Sequence, residues 1–433
     1  MIGQIIRSSG FWILDAIKGR PIRKRLIFLD KLYETETSNT KALDELLKHA
    51  INTVPFYKSV STPDIHCFPV MTKENYKNNF NSFRSSKYLN DDWLHKVYTS
   101  GSTGNPFMAY QDKEKLLWHK AGLIALNNRI GWKLGDRFMF FRLWGVAHNE
   151  GKMSQIMSNT IPVDVMNLND EKLEVIREQL LRDRNLCILL GYASALEKLS
   201  TYLNAKDNGM KRYGIKLVIA DSENLSSYAK RLIENTFECP VLNRYANNEN
   251  GILGITLINK PWFTINYPEY YVEILKMEKD EPATQGTLGR IVITDLYNKA
   301  FPFIRYDTGD LGIAKKMKNG QCFELQELSG RISTVLFDTK GNVVGETAAT
   351  AFYENVTGIG RYQIAQIGER KYELRVENTS ELLDEQLEQQ GKRAFGNDAT
   401  IRVIHVDKIP QGKNGKYKIT SYEVDNHESR ESI

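Results

Sequence analysis

Around Gly251 the hydrophobic period of this chain changes from helical to alternating. Upstream, "EKLEVIREQLLRD" repeats its apolar residues at helical spacing, and "LCILLGYASALEKLSTYL" reads as a short buried strand running into a helix. "IKLVIADSENL" is a second apolar strand that meets a polar turn, and "SSYAKRLIENTF" is the helix after it. Strand, turn and helix in repetition predict a mixed α/β sheet with ligand sites at the strand ends. Downstream, "FTINYPEYYVEILKM" and "TLGRIVITDL" alternate with period two, as antiparallel strands do. Beyond Gly330, "STVLFDTKGNVVGE" predicts a hairpin around Lys340 and Gly341, and "GRYQIAQIGERKYELRVEN" a second one. A charged helix, "ELLDEQLEQQGKRAF", and a last strand, "ATIRVIHVDKIP", complete the pattern. The expected fold class is therefore α/β, with a large domain over residues 1–330 and a small α+β domain over 331–433.

Composition removes several classes of function. The 433 residues carry 58 basic and 53 acidic side chains, a surplus of +5 that reads as spread along the chain. Such a charge predicts neither a nucleic-acid groove nor a polybasic membrane arm, while a mildly basic surface favours anionic small molecules. Cys67, Cys187, Cys239 and Cys322 are isolated, so zinc and disulfide frameworks are not expected and a cytoplasmic protein is. "MIGQIIRSSGFWILDAIKG" has an apolar run broken by Asp15 and no small-residue cleavage pattern, so it does not read as a signal peptide. No stretch has the length of a membrane span. The first segment predicts an amphipathic helix resting on the body or on a membrane surface, with packing on the body the favoured reading.

"VYTSGSTGNP", residues 97–106, has little to bury. Thr99, Ser100, Gly101, Ser102, Thr103 and Gly104 combine hydroxyls with glycine-freed backbone N–H groups at a strand end, the donors that phosphate oxygens take. No Gly-Lys-Ser/Thr follows, so this is not a Walker loop and a kinase-like phosphotransferase has no support. Alone, the stretch reads equally as an ordinary Ser/Gly turn.

Four further segments occur in order after it: "NRYANNENG" at 243–251, "IRYDTGDLG" at 304–312, "SGR" at 329–331 and "PQGKNGK" at 410–416. The succession resembles the adenylate-forming superfamily of acyl-CoA synthetases and adenylation domains. The finer resemblance is to its phenylacetate–CoA ligase-like branch and to the CapK-like proteins of capsular polysaccharide synthesis. "KHAINTVPFYKS" and "FPVMTKENYKNNF" are similar to that branch's early segments, so the likeness spans nearly the whole chain.

The resemblance implies a large multi-sheet domain followed by a small mobile one, and an ATP- and Mg²⁺-dependent enzyme. Such an enzyme converts a small carboxylic acid to an acyl-adenylate and passes the acyl group to coenzyme A or to an amine, for example on a sugar. It implies that residues 99–104 cradle the β- and γ-phosphates. Tyr245 would stack on adenine, Asn248 would sit near the α-phosphate and Glu249 would hold Mg²⁺. Ser222 and Glu223 of "ADSEN" would lie along the adenine. Asp310 would take both ribose hydroxyls, with Asp307 its competitor, and Arg331 would touch the ribose or a phosphate. Lys416, in the family's place after Pro410 and Gly415, would be the catalytic lysine, carried on the mobile domain. Ser333 departs from the aspartate the family often has at its hinge, and "TKGNVV" lacks the basic residues of a confident coenzyme A phosphate site. Arg142, Trp144 and His148 near the expected acyl pocket favour a small polar or aromatic acid over a long chain. The alternative is a catalytically degenerate nucleotide-binding protein of the same fold.

Overall fold

Capping residues set where the helices begin. In the computed structural model, which describes residues 2–98, 107–144, 152–166, 168–208, 212–331, 335–353, 356–377, 379–409 and 418–424, the chain opens with α1 (Ile2–Ile17), α2 (Pro21–Thr35), α3 (Thr40–Thr53) and α4 (Lys73–Asn78). Asp15 breaks the first apolar run for a structural reason: its buried carboxylate accepts the N–H groups of Ile22 and Arg23 at 2.9 and 3.1 Å. These are orphan donors at the start of α2, so the acid caps that helix. Asn39 caps α3, and Thr72 with Asn75 forms a reciprocal box on α4.

The hairpin β1 (His95–Tyr98) and β2 (Met108–Gln111) comes next, and then α5 (Lys113–Arg129). The alternating section follows as β3 (Arg137–Arg142), α6 (Lys152–Ser158), β4 (Thr160–Asp164), α7 (Asp170–Arg182), β5 (Leu186–Tyr192), α8 (Ala193–Asp207), β6 (Leu217–Asp221), α9 (Ser227–Phe237) and β7 (Val241–Asn247). These five strands pair in parallel in the order β4-β3-β5-β6-β7. All five residues of β6 are buried. Leu217 and Ile219 face one core, while Val218 and Ala220 face the other, beneath α7 and α8. A parallel strand covered on both sides must be apolar throughout, as "LVIA" is.

From Gly251 the same sheet turns antiparallel with β8 (Gly251–Leu257), β9 (Lys260–Ile265), β10 (Tyr270–Leu275), β11 (Leu288–Asp295), β12 (Tyr306–Lys318) and β13 (Gln321–Arg331). The full order, β10-β11-β12-β13-β9-β8-β7-β6-β5-β3-β4, makes one eleven-stranded sheet. The change of period at Gly251 is thus the junction between the parallel and antiparallel halves of that sheet.

The remaining residues bury their own core, from Leu336 to Ile419. They form β14 (Leu336–Phe337), β15 (Val343–Val344), α10 (Glu346–Ala351), β16 (Tyr362–Gly368), β17 (Lys371–Val376), α11 (Asp384–Phe395), β18 (Thr400–His405) and β19 (Thr420–Tyr422). Both expected hairpins are present, with Gly341 at φ +82° in the first. One expectation is corrected: β18 is not the last strand, because β19 pairs in parallel with β16. Three residues beyond a Lys/Gly-rich stretch carry no period of their own. Side-chain contacts join this unit to the large domain. Asn224 Nδ2 donates to Glu346 Oε1 at 2.8 Å, and Arg361 pairs with Glu197 at 3.4 Å.

Candidate active site

Sites in sheets of this kind lie beyond the carboxyl ends of the parallel strands. Here those ends are Arg142 of β3, Tyr192 of β5, Asp221 of β6 and Asn247 of β7. The turn after β7 is built by an Asx contact, Asn250 N–H to Asn247 Oδ1 at 2.9 Å. It ends on Gly251 at φ +114°, where a Cβ would sit 2.5 Å from the His119 ring. Only glycine fits.

This turn presents Glu249. Gln111 donates to its carbonyl at 3.0 Å, and the Tyr306 hydroxyl donates to its Oε1 at 2.9 Å. Its side chain is buried, and burial raises its carboxyl above the usual carboxylate range, while the Tyr306 hydrogen bond and the charge of Lys73 oppose that rise. Asn248 Nδ2 donates to the carbonyl of Tyr98 at 3.1 Å, tying the β7 turn to the strand end that precedes residue 99.

Asp307 and Asp310 separate cleanly. Asp307 pairs with Arg290 at 2.8 Å and accepts the Gly309 N–H at 2.9 Å, so it closes its own turn. Asp310 accepts the Tyr245 hydroxyl at 2.8 Å and faces Arg331 across the β12–β13 pair, with 3.4 Å between Oδ1 and Nε. Tyr245 is itself buried, its phenol held on that carboxylate. In the loop after β6, Ser222 is exposed in a left-handed conformation at φ +68°. Glu223 accepts the Ser194 N–H at 2.8 Å, linking the loop to the start of α8.

The structure therefore brings Tyr245, Asn248, Glu249, Asp310 and Arg331 to one edge of the sheet, with Ser222 and Glu223 on the neighbouring loop. Thr99 to Gly104, His148, Ser333, Lys413 and Lys416 lie outside the described residues. Two participants escaped the sequence reading. Tyr306, one residue before Asp307, is the partner of Glu249, and Lys73 at the start of α4 is electrostatically coupled to both Glu249 and Arg331. "FPVMTKENYKNNF" contained Lys73, but nothing in that segment marks which lysine points to the site.

Chemically, the edge offers a buried carboxylate, a more open carboxylate beside an arginine, and a lysine. That set suits a polyphosphate with its cation. Mg²⁺ takes one or two carboxylates and keeps phosphate oxygens and waters, so Glu249 fits the ion without a protein cage. No cluster of three or more potential metal-ligating side chains occurs among the described residues. Near the expected acyl pocket, the Arg142 guanidinium stands 5.1 Å from the Phe140 ring centre and 5.7 Å from that of Trp144, whose indole donates to the Phe140 carbonyl.

No family model matches the chain. In sequence it is similar to protein CapK of Staphylococcus aureus, 22% identical over 385 residues, covering 83% of this chain and 80% of that one. It is also similar to phenylacetate–coenzyme A ligase of Pseudomonas putida, 24% identical over 319 residues, covering 69% and 70%. In structure it is similar to 2-hydroxyisobutyryl-CoA ligase in the postadenylation state with an acyl-AMP bound, at a TM-score of 0.70, 15% identity and 90% of both chains. The same ligase in the thioesterification state with coenzyme A gives 0.54 at 16% identity, over 90% of this chain and 91% of that one. ATP-bound MatB from Rhodopseudomonas palustris gives 0.56 at 16% identity, over 78% of this chain and 68% of that one.

Proposed function

Since the chain has the fold of the adenylate-forming ligases, with CapK and phenylacetate–coenzyme A ligase as relatives, we propose that it activates a carboxylic acid with ATP. The acyl-adenylate then passes its acyl group to the thiol of coenzyme A or to an amine. The observation that carries the proposal is the convergence of Glu249, Tyr306, Asp310 and Arg331, from three separate segments, at the carboxyl edge of the parallel strands. A merely degenerate nucleotide binder has no need of a buried metal-competent carboxylate there.

In this reading Asp310 accepts the ribose hydroxyls, Arg331 lies beside them, and Tyr245 fixes Asp310 by its hydroxyl while its ring borders the adenine. The loop of Ser222 and Glu223 flanks the base. Residues 99–104 hold the outer phosphates, and Asn248 secures the first strand of their hairpin. Glu249 holds Mg²⁺, which when bound neutralises charge on the phosphates. Lys416 rides on the small domain, taken as residues 331–433. The chain is more similar to the postadenylation state of that ligase than to its thioesterification state, and in this reading the small domain changes position between the two half-reactions. The name of the phenylacetate ligase supports a thiol acceptor, and the CapK-like resemblance supports a product used in capsule or surface polysaccharide assembly. Arg142 with Trp144 and Phe140 supports a small polar or aromatic acid. ATP-dependent pyrophosphate release across a panel of carboxylic acids tests the proposal, followed by trapping with coenzyme A against amines. Release with no acid in the panel would leave only nucleotide binding.

Two measurable consequences arise at this point. Asp310→Ala removes the ribose acceptor and is expected to raise the KM for ATP about 5- to 30-fold, as roughly 1–2 kcal/mol of hydrogen bonding to a charged group is lost. Unchanged ATP affinity by calorimetry would move the ribose to another residue. Asn224→Ala removes a contact that docks the small domain on the adenine-side loop, and adenylation is expected to slow about 2- to 10-fold with acyl transfer less affected. Equal slowing of both half-reactions would mean that the contact supports the fold and not one domain position.

A further inference from the structure

The first two helices carry apolar residues on their outer side as well as on the side that packs on the body. Phe11 and Trp12 of α1 pack against the core, Gln4 Nε2 donates to the Leu134 carbonyl, and Asp15 caps α2, so the inner face is already satisfied. The outer face is apolar all the same. Ile6, Ile13 and Ile17 are 65%, 60% and 77% exposed, and seven- and four-residue spacing stacks them on one side, beside exposed Ile5 and Leu14. Arg7 Nε donates to the Ile156 carbonyl, which brings α6 alongside, and Ile156 and Met157 are exposed too. On α2, Lys24, Ile27, Phe28 and Lys31 fall at helical i, i+3, i+4 and i+7 positions, and all four are exposed. Among the described residues nothing covers this surface.

The charge surplus is not spread along the chain, contrary to the expectation from overall composition. Residues 1–31 hold seven basic side chains and two acidic ones, which leaves the other 402 residues with 51 of each. Glu34, near the end of α2, brings the two helices to +4, which is still most of the chain's net charge of +5. Of the three acids on the two helices, Asp15 is buried under the α2 N-terminus, Asp30 is paired with Arg129, and Glu34 is exposed at the far end of α2. Lys18, Arg20, Arg23, Lys24 and Lys31 are exposed.

We propose that the outward faces of α1 and α2 form a docking surface for an anionic lipid bilayer. Exposed isoleucines enter the acyl boundary and the flanking lysines and arginines meet the headgroups, which is the composition of an interfacial helix. No helix among the described residues is long and apolar enough to cross a membrane, so the helices lie in the interface. A second copy of the chain is the poorer occupant, because pairing two such faces sets a net charge of +4 on each against the other. The inference stands apart from the ligase reading.

The test is co-sedimentation of the full chain with vesicles of phosphatidylcholine, with and without phosphatidylglycerol. Partition onto the anionic vesicles is expected, falling as salt is raised. Ile13→Glu with Ile17→Glu is expected to weaken it at least about tenfold. Lys24→Ala with Lys31→Ala is expected to weaken it about 25-fold, at roughly fivefold per basic residue. Both variants should melt as the parent does, since all four side chains are exposed. Absent partition, or partition indifferent to lipid charge, would overturn the proposal. So would a parent that elutes as a dimer which Ile13→Glu with Ile17→Glu splits into monomers, assigning the face to a second copy.

Discussion

Lys416→Ala is expected to lower ATP–pyrophosphate exchange about 10²- to 10³-fold while ATP binding by calorimetry changes little. A positioned cation that meets charge developing on the α-phosphate is used in the transition state more than in the ground state, and its removal costs a factor of that size. The flanks of its segment belong to the small unit, which in the proposed cycle would carry the lysine. Ile419 is buried in the small core, Ile409 is buried with its N–H bonded to Glu377, and Thr420–Tyr422 is a strand of the same sheet. A rotation of that sheet, as proposed for the second half-reaction, would break the Asn224–Glu346 and Glu197–Arg361 contacts. Transfer from a supplied acyl-adenylate should therefore survive the mutation. Lys413→Ala, three residues away and out of the family spacing, should change little. If Lys413 carries the loss instead, the register of the tail is off by three. If neither variant is impaired, the enzyme reading falls.

How much of this was legible in the sequence depended on whether a residue acts through its neighbours in the chain or through the sheet. The parallel and antiparallel halves were legible because burial on two faces and on alternating residues leave different periods, and the change falls at Gly251, the first residue of β8. Strand β19 was not legible. It is three residues long, and its stability comes from β16, more than fifty positions earlier. The positions of Asn248, Glu249 and Asp310 were legible as motif positions, and the preference for Asp310 over Asp307 on spacing is supported by Arg290, which occupies Asp307 from the adjacent strand.

Tyr306 shows the same division. Its hydroxyl meets Glu249 across 57 positions, a contact fixed by how β12 lies against the β7 turn and by no local pattern. Lys73 is placed by the capping of α4 and by the chain pairing of Met71 with Tyr306. The charge on the first two helices was hidden for a simpler reason. A whole-chain average dilutes a short segment, and only counting by segment recovers it.

Glu249→Gln is expected to cost about 10²-fold in pyrophosphate release while leaving the unliganded fold as stable as before, or slightly more so. The two effects share one cause. Burial holds the Glu249 carboxyl above its unfolded range, so the folded state binds its proton more tightly than the unfolded chain does. The sign follows: this group's contribution to stability is best below the unfolded pKa and is lost as pH rises through the raised folded value, above which the ionised acid opposes folding. A neutral isostere removes that opposition and keeps an oxygen for the Tyr306 hydroxyl. The same charge is what a hard divalent cation requires among the phosphate oxygens, and an amide supplies only a weak dipole. Parent activity should accordingly fall as the medium is acidified through the raised pKa, and the Gln variant should lack that limb. The measurement is pyrophosphate release against Mg²⁺ concentration at several pH values, with melting temperatures for both proteins. Equal activity of the two at limiting Mg²⁺ would remove the ion from Glu249. A variant that melts well below the parent would make the carboxylate a structural partner of Tyr306 and Lys73.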